Sequence, residues 1–139
     1  MGTDYDRWEM ATQILTPSYI SLESALLRYG MIYQTISHIT LISYKTCHLM
    51  VDDTLLDIHM VKRSILLCSQ GISHDGTTSI ASPERAFLDT LYLYRDFAFD
   101  HLDMIDWSRV DELLPLYDSL ILIQRIRQYR QKLIAHNYA

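Results

Sequence analysis

The sequence predicts an α+β fold, because the spacing of its apolar residues changes from helical to strand-like and back again. Apolar side chains recur at helical spacing near the N-terminus and in the last third of the chain. Between these regions they alternate with polar residues or form short β-branched runs. We therefore expect a single domain, residues 1–139, in which a mostly antiparallel sheet of about four or five strands packs with about four to six helices.

The composition suits one folded domain and argues against several classes of protein. The 139 residues are 49% hydrophobic and 21% charged, which is enough apolar surface for one core. A formal net charge of -5 argues against nucleic-acid binding through a broadly basic surface. Without a signal-peptide pattern or a long uninterrupted apolar run, we expect a cytoplasmic protein with no membrane contact. In a reducing cytosol, Cys47 and Cys68 are more often free thiols than a disulfide.

The N-terminal part of the sequence predicts two helices. The segment from Asp4 to Leu15 has apolar residues at helical spacing, and Pro17 follows its end. Ser21 is expected to cap a second helix from Leu22 to Tyr29, and Gly30 provides its stop. Together these residues predict a short helical unit ahead of the sheet.

The middle of the chain has the pattern of strands joined by turns. Residues 39–43 are apolar on both faces, which is typical of a buried strand. The turn residues 51–54 are expected to join a strand at 47–51 to a strand at 55–60 as a hairpin. In the second of these strands, the alternation places Leu56, Ile58 and Met60 on the inward side.

Two further runs complete the expected sheet. Residues 65–68 form a short apolar run of strand length. A polar loop at residues 73–76 then separates this run from a last short strand at residues 79–81. Both assignments depend on local pattern alone.

The strongest helix signal begins at residue 82. Ser82 can cap the first turn, Pro83 suits the first helical position, and Glu84 lies where the helix dipole favours an anion. The apolar stripe that follows predicts a helix packed against the core, with Leu88 and Leu91 buried. On the same helix, Arg85 and Asp89 are four residues apart and share another face. Trp107 lies beyond this helix and is expected to be packed inside the protein.

The last helix is expected to start after Ser119 and to run from Leu120 to about Ala135. Its basic residues form the densest positive cluster in the sequence. This cluster is either a solvated helix face or a partner-binding surface, and on the second interpretation its guanidinium groups would meet carboxylates of a partner. The residues concerned are Arg125, Arg127, Arg130 and Lys132.

Two separate stretches of the sequence carry distinctive motifs. The first reads PSYISLESAL over residues 17–26 and continues as YGMI over residues 29–32. The second reads IASPERAFLD over residues 80–89. Together they resemble the antitoxin domain of the AbiEi family, from abortive-infection type IV toxin–antitoxin systems. That family typically shows YISLxSAL with GLI after it, and then IASPEKALLD, so Arg85 replaces the usual Lys and Phe87 the usual Leu. The two stretches occur in the family's order.

The resemblance implies a non-enzymatic antitoxin that counteracts a nucleotidyltransferase-like toxin, directly or indirectly, in phage defence. It implies no cofactor. AbiEi antitoxins generally also carry an N-terminal winged helix that represses transcription. Only 17 residues precede Ser18 in the first motif, so we expect no DNA binding by this chain. We interpret five signature residues as fold-defining through capping and packing: Ser21, Ser24, Pro83, Glu84 and Asp89.

Two alternatives from other functional classes stay open. One is a fragment of a transcriptional regulator that contacts DNA through the last helix. The other is a small metal-dependent nuclease, for which Asp57 and His59 on the predicted strand would be the first candidates. The histidines and cysteines lack the spacing of a zinc site, and no phosphate-binding glycine loop is present, so we predict no metal, cofactor or catalytic group.

Overall fold

A six-stranded mixed sheet forms the centre of the fold. The computed structural model describes the backbone of residues 4–138 and the side chains of residues 7–134. The strands are β1 (Tyr19–Ile20), β2 (Ile39–Ser43), β3 (Cys47–Val51), β4 (Thr54–Met60), β5 (Ile72–Asp75) and β6 (Thr78–Ala81). The helices are α1 (Asp4–Ile14), α2 (Glu23–Arg28), α3 (Arg63–Leu66), α4 (Pro83–Leu93), α5 (Trp107–Tyr117) and α6 (Leu120–Tyr138).

The strand order across the sheet is β3-β4-β2-β1-β6-β5. The pairs β1 with β6 and β2 with β4 are parallel, and the other three neighbouring pairs are antiparallel. This arrangement confirms the α+β class, although the sheet has more strands than the four or five expected. Two strands have no sequence prediction: β1, whose two residues lie between β2 and β6 near the middle of the sheet, and the edge strand β5.

Each face of the sheet is covered by its own apolar cluster. On one face, Trp8 and Ala11 of α1 pack against Leu41 and Ile58 of the sheet. On the other face, Phe87 belongs to a larger cluster built from α2, α4, α5 and α6 together with the inward residues of the strands. As a result α4 is enclosed between the sheet and the last two helices.

The predicted hairpin is confirmed. β3 and β4 pair antiparallel, with Val51 opposite Thr54. Asp52 and Asp53 have φ angles of 48° and 65°, as a two-residue turn of the I′ type requires at both central positions. Asp tolerates this left-handed backbone better than most residues, which explains the strong turn signal.

The structure corrects three assignments in the middle of the chain. The apolar run at 65–68 is not a strand, because α3 and its last turn occupy this region. The predicted polar loop at 73–76 is largely strand β5, which pairs with β6 at the sheet edge, where polar side chains can face water. Met60 is not inward but 54% exposed, because it lies at the end of β4, beyond the core.

Two of the three predicted helix caps are confirmed. The amide of Arg85 donates to Ser82 Oγ at 3.1 Å, and the amide of Leu122 donates to Ser119 Oγ at 3.1 Å. Ser21 is not a cap: Leu22 occupies the N-cap position of α2 without a side-chain bond, and the Ser21 hydroxyl donates to Asp89.

Within residues 4–138, no helix combines the length and the hydropathy needed to cross a membrane.

Candidate functional site

Arg85 and Asp89 lie at the centre of the larger core. They share one face of α4, as their spacing predicts, but that face is buried and both side chains have no solvent exposure. The sequence does not reveal this, because burial here depends on α5 and α6, which cover the helix from the side opposite the sheet. The two side chains belong to one buried polar network.

Asp89 accepts three hydrogen bonds from hydroxyl groups. Tyr117 donates to Oδ1 at 2.6 Å, while Ser21 and Tyr19 donate to Oδ2 at 2.7 and 2.9 Å. Tyr19 and Ser21 belong to β1 and the residue after it, and Tyr117 belongs to α5, so the carboxylate ties both of these regions to α4. Such bonds offset the large cost of burying a carboxylate.

Arg85 binds the chain segment that leads from α3 to β5. Its Nη atoms donate to three backbone carbonyls: Ile65 at 2.6 Å, Cys68 at 2.8 Å and Gln70 at 2.6 Å. Nη2 also donates to the Tyr19 hydroxyl at 3.2 Å, and that hydroxyl in turn donates to Asp89. The guanidinium therefore reaches Asp89 through Tyr19. It also fixes the loop between α3 and β5 by donating to one buried and two part-buried carbonyls.

The network shifts the pKa values of its members. Burial raises the pKa of Asp89 above its ordinary value, although the charge of Arg85 and the three hydroxyl donors act in the opposite direction. Burial, followed by repulsion from Asp89, raises the pKa of Tyr19 and Tyr117 well above the ordinary value. Burial alone would lower the pKa of Arg85, but attraction to Tyr19 and then Asp89 raises it overall. Arg85 is therefore a permanent buried cation, and both tyrosines remain hydrogen-bond donors.

The remaining signature residues also make contacts within the chain. Ser24 and Thr40 exchange two hydrogen bonds of 2.9 Å that tie α2 to β2. Glu84 accepts from the amide of Asp106 at 3.1 Å, just before α5 begins. Pro83 occupies the first position of α4.

The basic cluster on α6 divides into two engaged and two exposed residues. Arg125 donates to the carbonyl of Leu91 at 2.6 Å, near the C-terminal end of α4. Arg130 forms an ion pair of 2.8 Å with Asp111 of α5, and its guanidinium also lies over an aromatic ring. Arg127 and Lys132 are exposed. The cluster is therefore not one continuous surface of free cations.

The nuclease candidates Asp57 and His59 lie in a polar group on the face of the sheet opposite α1, near the end of α4. Asp57 contacts His48 at 3.3 Å through Oδ1 and His59 at 3.2 Å through Oδ2. His59 Nε2 lies 3.3 Å from the Tyr94 hydroxyl. Burial and then the negative charge of Glu23 raise the pKa of Tyr94 well above its ordinary value. Both oxygens of Asp57 are thus engaged by imidazoles.

A mainly apolar groove of about 1000 Å³ lies beside this region and is not apparent from the sequence. It is formed by the continuous stretch from the end of β4 through α3, by the end of α4, by the start of α6 and by two isolated residues, Pro17 and Tyr44. No local pattern marks such a surface, because five separate parts of the chain contribute to it. The only hint is the pair Leu120 and Ile121, two apolar residues at the start of a helix whose polar side faces water.

In the part of the chain whose side chains are described, no three His, Cys, Asp or Glu residues are grouped so that they could hold a metal ion.

No protein-family model matches this sequence, and no curated protein matches it either.

Proposed function

We propose that this chain is a non-enzymatic antitoxin module, similar to the AbiEi antitoxin domain, that counteracts a nucleotidyltransferase-like toxin. The observation that carries the proposal is the spatial meeting of the two stretches that resemble this family. Tyr19 and Ser21, from the first stretch, donate hydrogen bonds to Asp89 in the second. Tyr29 also donates to the carbonyl of Ala81 at 2.6 Å. The two motifs thus belong to one structural unit.

The chemistry of these residues supports a binding role rather than catalysis. Asp89 has its oxygens occupied by hydroxyl donors inside the core, and Glu84 is bonded to the start of α5. Neither carboxylate is presented to a cavity where a substrate could reach it. Residues of this kind preserve a scaffold, and the surface of the scaffold is then available for a partner.

Growth rescue tests the proposal directly. The chain would be co-expressed with a nucleotidyltransferase-like protein encoded beside its own gene, and surviving colonies would be counted with and without it. We expect rescue by the native chain and none by an Arg85→Met variant, whose core should be disrupted. Absence of rescue by the native chain, at an expression level confirmed by immunoblot, would count against the proposal.

One further variant separates the antitoxin from the nuclease alternative. Asp57→Asn keeps the size of the side chain but removes the carboxylate charge that a metal-dependent nuclease would need. A non-enzymatic antitoxin should rescue growth equally well with this substitution. Loss of rescue by a folded Asp57→Asn protein, together with loss of a metal-dependent cleavage activity, would favour the enzyme instead.

The regulator alternative is tested by DNA binding. A gel shift with the operator region of the protein's own gene, at physiological salt, should show no specific complex if the chain acts only through a protein partner. A specific shift that is lost on Arg127→Glu, an exposed cation of α6, would favour transcriptional regulation.

A further inference from the structure

The groove collects exposed apolar side chains from several elements. Of the nine large hydrophobic residues that are exposed in the described part of the chain, four line it. Their exposed fractions are 50% for Tyr44, 54% for Met60, 55% for Leu67 and 60% for Ile121. Contiguous apolar surface of this kind is typical of interaction sites, whereas single exposed apolar residues are common everywhere.

The groove is also positively charged. Lys62, Arg63 and Arg125 line it, and no Asp or Glu does. Lys62 donates to the carbonyl of Tyr117 at 2.6 Å, and Arg125 donates to that of Leu91 at 2.6 Å, so both are held at helix C-termini. None of the three cations has a carboxylate within ion-pair distance among the described residues. In a chain of net charge -5, this local excess of positive charge favours an anionic partner.

The shape of the groove favours a polypeptide over a small molecule. A small ligand is usually enclosed over most of its surface. Here the apolar side chains at the rim remain half exposed, so the groove is open along its length to solvent. Open apolar grooves with charged margins are the usual receptors for amphipathic helices, whose apolar face fills the groove.

We infer that this groove binds an amphipathic helix of a partner protein, with apolar residues on one face and carboxylates along its margins. Apolar side chains of the helix pack against Leu67, Met60 and Ile121, and its carboxylates meet Arg63 and the two anchored cations. The apolar contacts supply most of the affinity, and the charges set orientation and encounter rate. This surface contains none of the five signature residues, so the inference goes beyond the proposed antitoxin role and stands independently of it.

A labelled synthetic peptide of about 18 residues, or five helical turns, is the probe. It carries Leu at positions i, i+3, i+4 and i+7 with Glu beside them, and its control carries Lys in place of each Glu. Fluorescence anisotropy with the full chain should show binding of the Glu peptide that weakens with added salt, and little binding of the Lys peptide. Equal binding of the two peptides would overturn the assigned charge preference.

Neighbouring residues provide matched variants. Ile121→Glu should weaken peptide binding by about tenfold or more, whereas Leu120→Glu, one residue earlier and outside the groove, should leave it unchanged. Arg63→Glu should weaken binding and reduce its salt dependence, and Arg127→Glu is its control on α6. Circular dichroism and the melting temperature establish that each variant is folded. Binding that is indifferent to Ile121→Glu in a folded protein overturns the inference.

Two further measurements would recognise other occupants of the groove. If the groove instead binds a second copy of the chain, sedimentation should show dimers that Ile121→Glu dissociates, and the peptide should compete with them poorly. If it binds a small anionic amphiphile, dodecanoate should bind while the peptide does not. Either result would overturn the peptide assignment, and neither depends on whether the chain rescues growth from a toxin.

Discussion

Two cationic regions of the molecule differ in how their charge is compensated. In the buried network, Arg85 donates to three backbone carbonyls and reaches Asp89 through the hydroxyl of Tyr19. In the groove, Arg63 and its two neighbouring cations have no carboxylate partner in the described structure, and apolar side chains surround them. In the buried network, the polar groups bond to one another and stabilise the fold. In the groove, charged and apolar side chains remain available to another molecule.

The largest expected effect comes from removing the buried cation. Arg85→Met should lower the free energy of unfolding by about 3–5 kcal/mol, because the buried carbonyl of Ile65 and two part-buried carbonyls lose their donor and Asp89 loses a nearby positive charge. Urea denaturation monitored by circular dichroism measures this change in the free energy of unfolding. The control is Arg63→Met in the groove, which should change stability by less than about 0.5 kcal/mol.

Arg85→Lys sharpens the same test, since it separates the charge of Arg85 from the geometry of its donors. Lysine keeps the positive charge but cannot reproduce the planar fork of donors that reaches Ile65, Cys68 and Gln70 together. We expect an intermediate loss of stability. Equal losses for Arg85→Lys and Arg85→Met would mean that the geometry of the donors matters and the charge does not.

Leu91→Ala should cost about 2–5 kcal/mol, because Leu91 is only 1% exposed and its truncation leaves a cavity between α4 and the surrounding helices. Thermal or urea denaturation measures the loss. Leu93, two residues later, is only partly buried and provides the control, so Leu93→Ala should cost clearly less. Similar values for the two variants would contradict the orientation of α4.

A smaller effect is expected from the titration of Asp89. Because burial raises its pKa, the folded protein holds this proton more tightly than the unfolded chain, whose Asp pKa is about 4. The contribution of Asp89 to stability is therefore greatest below the unfolded pKa and is lost as the pH rises through the folded pKa. Asp89→Asn removes the titration, so the difference in unfolding free energy, native minus variant, should fall as the pH increases from about 4 toward neutrality. A difference that rises with pH would show that the folded pKa is lowered instead.

Elements with strong local signals could be predicted from the sequence. Ser82 and Pro83 define the start of α4, and the pair Asp52 and Asp53 defines the turn of the β3–β4 hairpin. These signals act within a few residues, so they do not depend on the rest of the fold. The same holds for Ser119 at the start of α6.

Elements that depend on distant contacts could not be predicted in this way. The apolar run at 65–68 becomes a helical turn and a loop. Arg85 donates to the carbonyls of Ile65 and Cys68 in this run, although it lies 20 and 17 positions later in the chain. Ser21 has the sequence of a helix cap, but its hydroxyl binds Asp89, which lies 68 positions later in the chain. The groove is harder still, since its lining residues share no spacing or motif. Local sequence patterns therefore predict the helix starts and the hairpin turn, but they do not predict the groove.

The smallest expected effect concerns the groove and is the sharpest test of the contrast between the two regions. Ile121 and Leu122 are consecutive apolar residues in the first turn of α6, but Ile121 is 60% exposed and Leu122 is completely buried. Leu122→Ala should therefore cost about 2–5 kcal/mol, whereas Ile121→Ser should change the free energy of unfolding by less than about 0.5 kcal/mol. Both values come from urea denaturation under identical conditions. If Ile121→Ser is as destabilising as its neighbour, Ile121 packs inside the protein, and the groove is part of the core. If the Ile121→Ser variant instead keeps its stability but no longer binds the acidic peptide, the side chain of Ile121 serves to bind a partner. A folded monomer gains no stability from exposing this apolar side chain to water.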